Sequence, residues 1–220
     1  MSIVLTKSYQ APSFCKKEIL RYAGCKRNGA DIEELLDSCI KEAENSFTYK
    51  VCYTQLDLNV SGDVCDFGLF SVESNGLSAN LKACKKVVLC GATVGVEIDR
   101  LISKYSRISP SKALMFQAIG AERIEALCDA FCACFEKEHG VFLKPRFSPG
   151  YSDLSLSVQK EVFRILDCPK NIGLSLNDSM LMSPSKSVTF FCGVTNSPNK
   201  VTLNKCSLCE KLDCAFRGKI

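Results

Sequence analysis

Arg146-Phe147-Ser148-Pro149-Gly150-Tyr151 opens a stretch that runs to Val194 and around which the rest of the chain is organised. Pro149 fixes its own φ and pushes Ser148 into an extended conformation. Gly150 admits a backbone geometry, or a close approach, that a Cβ would forbid. Arg146 and Tyr151 therefore flank a rigid bend with bare backbone between them. Such a bend suits a small ligand that carries a carboxylate and a flat ring, because the guanidinium fork pairs with a carboxylate through two hydrogen bonds. The competing reading is a structural loop with an Arg ion pair and a packed Tyr. Both stand at this point.

Downstream of the bend, Ser155 or Ser157 is placed to cap a helix carrying Val158, Val162, Phe163, Ile165 and Leu166, which stops before Pro169. Ile172 to Leu176 and Ser187 to Val194 read as strands. Asn196 to Asn199 reads as a turn, and Lys200 to Asn204 as a last strand in a hairpin with Ser187 to Val194.

Upstream, Ser111 to Glu138 reads as one long helix, with Met115, Ala118, Ile119, Ile124, Leu127, Cys128, Phe131 and Phe135 on its buried face. Gly140 is placed to end it, with His139 near its negative pole. His139 is the only histidine, so a His-rich metal site is excluded, and a cap role suits it better than catalysis. Glu125 lies at the edge of the apolar stripe and has two readings. One is an exposed helix carboxylate; the other is a carboxylate facing a ligand cleft near Arg146. Asp129 follows one turn later, so the two line one face.

Val87 to Gly95 is apolar throughout and reads as a central strand entering a Gly turn; it is not a phosphate loop, because the spacing is wrong and no Lys-Ser/Thr follows. Val96 to Ser106 and Leu77 to Cys84 read as helices, and Val51 to Leu58 as a strand. Asn59 to Asp63 reads as a turn and Phe67 to Ser71 as a short strand. Asp31 reads as the N-cap of a helix carrying Leu35, Leu36, Cys39 and Ile40, and Lys16 to Tyr22 as a short helix. Residues 1–14 show little periodicity and read as a loosely held arm. Helices and strands alternate without a strict βαβ order. This predicts an α+β fold, a mainly antiparallel twisted sheet flanked by helices, with a short Cys-rich C-terminal tail.

A length of 220 residues fits one domain, or one domain with a small appendage, and the apolar fraction of 46% supports a sizeable core. The net charge of +4 is mild and the Lys and Arg residues are scattered, which excludes the footprint of a nucleic-acid binder. No apolar run approaches the roughly 20 residues that span a bilayer. Met1 to Lys7 lacks the pattern of a secretory signal, so the expected location is the cytoplasm, with no membrane association. The 15 cysteines, odd in number, argue against a disulfide framework. Cys39, Cys90, Cys128, Cys132 and Cys192 fall on apolar faces and are expected to act as small hydrophobes. Cys206, Cys209 and Cys214 are different. Two thiols three apart with a third five residues on are candidate ligands for zinc or an iron-sulfur cluster, half of a zinc ribbon. A redox-inert tail and a dithiol redox pair are the other readings.

In order along the chain, Arg146 with Pro149-Gly150-Tyr151, then Gly173-Leu174-Ser175-Leu176-Asn177-Asp178-Ser179, then Met182, Pro184, Ser187 and Val188 resemble the activation domain of cobalamin-dependent methionine synthase. In that family the second segment carries Thr and Glu where Asn177 and Asp178 stand here. Ala92-Thr93-Val94-Gly95 and Glu125-Ala126 look like short stand-alone relatives, and the likeness covers roughly Leu77 to Asn204. The resemblance implies one domain over residues 1–204 and a tail over 205–220. It implies S-adenosylmethionine as the ligand, with its methionyl carboxylate on Arg146, backbone groups offered by Ser148 and Gly150, Glu125 nearby, and Tyr151 lining the methyl-transfer cleft. The chain departs from the pattern where the family has an enclosing aromatic, at Val201, and in its Cys-rich tail; an N-terminal acidic contact has no match.

By the same resemblance the chain is expected to be a component of a methyltransferase system. The implied partners are a cobalamin-binding methionine synthase without its own activation domain and a flavodoxin-like or other reductant. A metal- or cluster-bearing electron-transfer activator of another corrinoid protein is the main rival, and a non-catalytic S-adenosylmethionine-binding protein a third reading.

Overall fold

The computed structural model describes residues 3–25 and 29–198. Its frame is a five-stranded sheet in the order β1 (Leu5–Ser8), β2 (Lys50–Asp57), β6 (Lys86–Thr93), β10 (Ser187–Thr195), β7 (Phe142–Leu143), with every neighbouring pair antiparallel. A small sheet, β3 (Asn59–Ser61), β4 (Val64–Asp66) and β5 (Ser71–Glu73), and a two-stranded hairpin, β8 (Ser175–Leu176) with β9 (Met182–Ser183), complete the strands. The helices are α1 (Lys16–Tyr22), α2 (Ala30–Ala43), α3 (Asn75–Leu81), α4 (Glu97–Ile108), α5 (Pro110–His139), α6 (Gln159–Leu166) and α7 (Cys168–Ile172).

Successive side chains of a strand point to opposite faces. On β6 this sends Val88, Cys90 and Ala92 into one core, and Val87 and Leu89 into the other. The first core is closed by α1, α2, α4 and α5, through Ile19, Leu36, Ile98, Phe116, Ile119, Leu127 and Phe131. The second is closed by α3, α6, α7, the small sheet and the turn after β4, through Leu81, Phe163, Leu166, Cys168, Cys65 and Phe67. β6 is therefore apolar throughout because both its faces are covered. Each fully buried Leu or Phe of this kind contributes about 1.5–3 kcal/mol of transfer free energy.

The α+β architecture with an antiparallel sheet is as the sequence predicts. Several details differ. The arm at 3–14 contains β1, which pairs Leu5 with Tyr53 and Ser8 with Lys50. It is an edge strand exposed on most positions, so no apolar alternation marks it. Asp31 lies inside the first turn of α2, where a carboxylate still suits the helix pole, and Gly29 is the N-cap. Asn59 to Asp63 is strand β3 followed by the turn at Gly62 and Asp63 that leads into β4. Phe67 to Phe70 is a turn, closed by Phe67 N–H donating to Phe70 O, and the strand follows it at Ser71. Pro169 stands in the first turn of α7, which Gly173 terminates, so Ile172 is helical and only Ser175–Leu176 is strand. His139 stacks on Phe135 at 4.1 Å at the end of α5, a cap position.

The expected strand Lys200 to Asn204, the boundary at 204/205 and Val201 lie outside the described residues. The free edge of β10, opposite β6, is occupied by β7 at Val194 and Thr195 and by a bridge from Phe147 to Phe191.

Candidate functional site

The chain leaves β7 and runs along the edge of β10. Lys144 N–H donates to Gly193 O (2.8 Å), and Phe147 and Phe191 exchange two bonds of 3.0 and 2.8 Å. Phe147 faces the second core, so Arg146 is turned to the opposite face, over the Phe190 ring (5.9 Å to its centre) and against α5. There Arg146 Nη2 donates to Glu125 Oε2 (2.6 Å) and Nη1 to Asp129 Oδ1 (2.5 Å). The spacing of four residues on one helix supplies both carboxylates to one fork.

Exposure is graded across the trio. The Arg146 side chain is 15% exposed, Glu125 46% and Asp129 73%. A fixed cation thus lies under two carboxylates that face water. Burial works against the charge of Arg146, but Cys128, Glu125 and Asp129 outweigh it and hold the guanidinium above its ordinary pKa. Burial pushes the Cys128 thiol up, and the Cys90 thiol with it. Cys132, beside Cys192 and reached by the field of Arg146, is lowered against the pull of burial. Cys39, Cys90, Cys128 and Cys192 are buried as small hydrophobes, as the sequence predicts, whereas Cys132 is only half-buried; all five thiols are free.

After Phe147 the loop closes on itself. Tyr151 N–H donates to Ser148 O (3.1 Å), Gly150 N–H to Leu154 O (2.8 Å) and Leu154 N–H to Tyr151 O (3.1 Å). Pro149 is buried and Ser148 half-buried. Gly150 has a φ of 85°, in the left-handed region. A Cβ there would stand 3.0 Å from Leu156 Cδ1. The Tyr151 ring stands edge-on to Phe147 at 5.2 Å and is 44% exposed.

Of the residues singled out in the sequence, the structure brings Glu125, Asp129 and Arg146 into contact. Ser148, Gly150 and Tyr151 stand on the loop that leaves this cluster. The other two motifs lie elsewhere. Ser187 pairs with Thr93, its hydroxyl donating to Thr93 Oγ1 (2.8 Å), and Ser185 N–H donates to Asp99 Oδ2 (2.7 Å). These bonds join the ends of β6, β10 and α4, four residues along β10 from Phe191, or about 13 Å at a strand's rise. They hold the sheet rather than face Arg146. An open depression of about 430 Å³ between Ser8 and Lys50 shares no residue with the loop.

Cys206, Cys209 and Cys214 lie outside the described residues. Among the described residues no group of three or more His, Cys, Asp and Glu side chains is arranged to hold a metal ion. None of the described helices is long and apolar enough to cross a membrane. Sequence reasoning missed Asp153, two residues beyond Tyr151, whose carboxylate accepts from Ser74, Asn75 and Gly76. Nothing local marks it, because its partners lie 77 to 79 residues away.

The fold is α+β and resembles that of a solved reactivation domain. Among the solved structures it resembles is the crystal structure of the MetH reactivation domain bound to AdoHcy, with a TM-score of 0.65 and 13% identity, covering 90% of this chain and 80% of that one. At that identity the likeness is one of fold. No family model and no curated protein matches the sequence.

Proposed function

We propose that this chain binds S-adenosylmethionine at the loop of residues 146–151 and acts as a stand-alone activation subunit for a cobalamin-dependent methionine synthase. The observation that carries the reading is the fold it shares with a reactivation domain bound to AdoHcy, the demethylated form of that donor. The charge set supports it. S-adenosylmethionine presents one carboxylate, one ammonium and one sulfonium; the site presents one guanidinium and two carboxylates. The ligand carboxylate takes the Arg146 fork, and Glu125 and Asp129 turn to the two cationic centres. Asp129, the more exposed, is the partner that gives way. Ser148 and Gly150 offer backbone groups, and Tyr151 lines the open side of the cleft.

The corrinoid, carried by the partner, supplies the methyl acceptor once a flavodoxin-like or other donor delivers an electron. This chain's part is positioning. It holds the methyl donor in line with the acceptor and keeps water from the reacting centre. No side chain need exchange a proton, which agrees with a single histidine stacked on Phe135 as a helix cap. A reducing cytoplasm fits the free thiols.

Calorimetric titration with S-adenosylmethionine, beside Arg146→Ala, tests the binding half. Binding by the wild type that disappears in the variant is expected. Mixing the protein with a methionine synthase lacking its activation domain, plus reductant, tests the rest. Recovery of turnover that depends on S-adenosylmethionine is expected, and its absence would sink the subunit role.

A further inference from the structure

We infer that Asp153 is the positioning residue of the ligand loop, acting by tying the loop to the start of α3. Its part in ligand binding rests on the function proposed above; its part in setting the loop does not. Asp153 Oδ1 accepts from Ser74 Oγ (2.6 Å) and Gly76 N–H (3.1 Å), and Oδ2 accepts from Asn75 N–H (2.6 Å). The anchor is itself fixed. Ser74 Oγ caps α3 by accepting from Leu77 N–H (3.1 Å), and Ser74 N–H donates to Asp63 O (2.8 Å). The bond from Ser74 and the two backbone amides lower the Asp153 pKa, so the carboxylate is charged where these donors need it.

The position of Gly76 shows how closely the two segments meet. A Cβ there would stand 2.9 Å from both Asp153 Oδ1 and Ser152 Oγ and 3.0 Å from Phe147 Cζ. Only glycine leaves room for the loop at that point. The loop is therefore held from two sides. Phe147 is pinned to β10, Asp153 to α3, and Ser148 to Ser152 bridge the gap. Ser152 is held at a φ of 53°, a left-handed conformation that a serine adopts only when its neighbours dictate it. Remove the Asp153 tie and that constraint goes; the loop keeps its own backbone bonds and the Phe147 side, but Gly150 and Tyr151 are less closely fixed relative to Arg146.

The test uses the full chain with Asp153→Ala, Asp153→Asn and Gly76→Ala, followed by amide hydrogen exchange and by calorimetry with S-adenosylmethionine. Amides of β6 serve as the folding control. In Asp153→Ala, exchange at Gly150 and Leu154 should speed about tenfold or more, the scale of a lost charge-assisted hydrogen bond, with β6 unchanged. Ligand affinity should fall by a similar factor. Asp153→Asn keeps one oxygen for Ser74 and Gly76 and should recover part of both effects, which a general loss of stability would not give. Gly76→Ala should reproduce the loop effect with the carboxylate intact. Unchanged exchange at Gly150 and Leu154 in Asp153→Ala overturns the inference. So does faster exchange with undiminished affinity. If the wild type binds no ligand, the proposed function fails, and the exchange data alone decide whether Asp153 sets the loop.

Discussion

Two arginine–carboxylate clusters meet at the middle of helix α5, one at Glu122 and Arg123 and one where Arg146 reaches Glu125 and Asp129, and their surroundings differ. Arg123 is fully buried, and Glu122 nearly so. Its Nε and Nη2 donate to Glu122 at 2.6 and 2.5 Å, Nη1 to Pro12 O at 2.5 Å, and Nη2 also to Ser13 O at 2.8 Å. The guanidinium lies over the Phe14 ring, and Glu122 Oε1 accepts from Cys15 N–H. Four donations are made, two of them to backbone carbonyls that cannot leave. Arg146 has the same partner chemistry, but its carboxylates are half to mostly exposed and belong to side chains free to turn outward. The first cluster is a brace that fastens the segment at Pro12 to Cys15 onto α5. The second is open to water, as the proposed exchange of a carboxylate for ligand requires. Burial and the kind of acceptor, not the ion pair itself, separate the brace from the proposed site.

The sharpest way to break this contrast is Arg123→Ala. It leaves Glu122 charged in the interior and frees two carbonyls, and removing one partner of a buried pair costs about 3–5 kcal/mol. Urea unfolding should show that loss. A change below about 1 kcal/mol, the range of surface pairs, would mean that the two clusters are energetically alike.

Arg146→Ala should behave in the opposite way. Glu125 and Asp129 are open to water and hydrate when the guanidinium goes, so the stability cost should stay near about 1 kcal/mol. Affinity for S-adenosylmethionine should fall by about a hundredfold, the worth of a lost bidentate charged contact. A large stability loss with unchanged affinity would reverse the assignment of brace and site.

The parts legible in the sequence are those whose cause is local. β6 reads as a central strand because both faces are covered and nearly every position is apolar. The pairing of Glu125 with Asp129 follows from helical spacing, and the bend at Pro149-Gly150 from the two residues themselves. The features that stayed hidden depend on distant chain. β1 is an exposed edge whose identity comes from backbone pairing with β2. Arg123 reads as an ordinary helix charge, and only the carbonyls of Pro12 and Ser13, more than a hundred residues away, make its burial tolerable. Asp153 is hidden for the same reason. The strand read at Ile172 to Leu176 begins too early: Ile172 still belongs to the short helix that Pro169 starts and Gly173 ends, and only Ser175–Leu176 is strand.

The smallest effect is the most discriminating. Asp129 bonds Arg146 Nη1, the place a ligand carboxylate needs. In Asp129→Asn the competing acceptor is neutral and weaker, so Arg146 is easier to claim. An exposed pair is worth about 0.5–1 kcal/mol, which corresponds to affinity about two- to fivefold tighter for S-adenosylhomocysteine. S-adenosylmethionine should gain less, because its sulfonium loses the attraction of the same carboxylate. Calorimetry with both ligands on wild type and variant measures the split. Equal gains would place the sulfonium out of reach of Asp129. Weaker binding of both would mean that Asp129 helps hold the ligand instead of competing with it, and the pair at Arg146 would then be a fixed part of the site like the brace at Arg123.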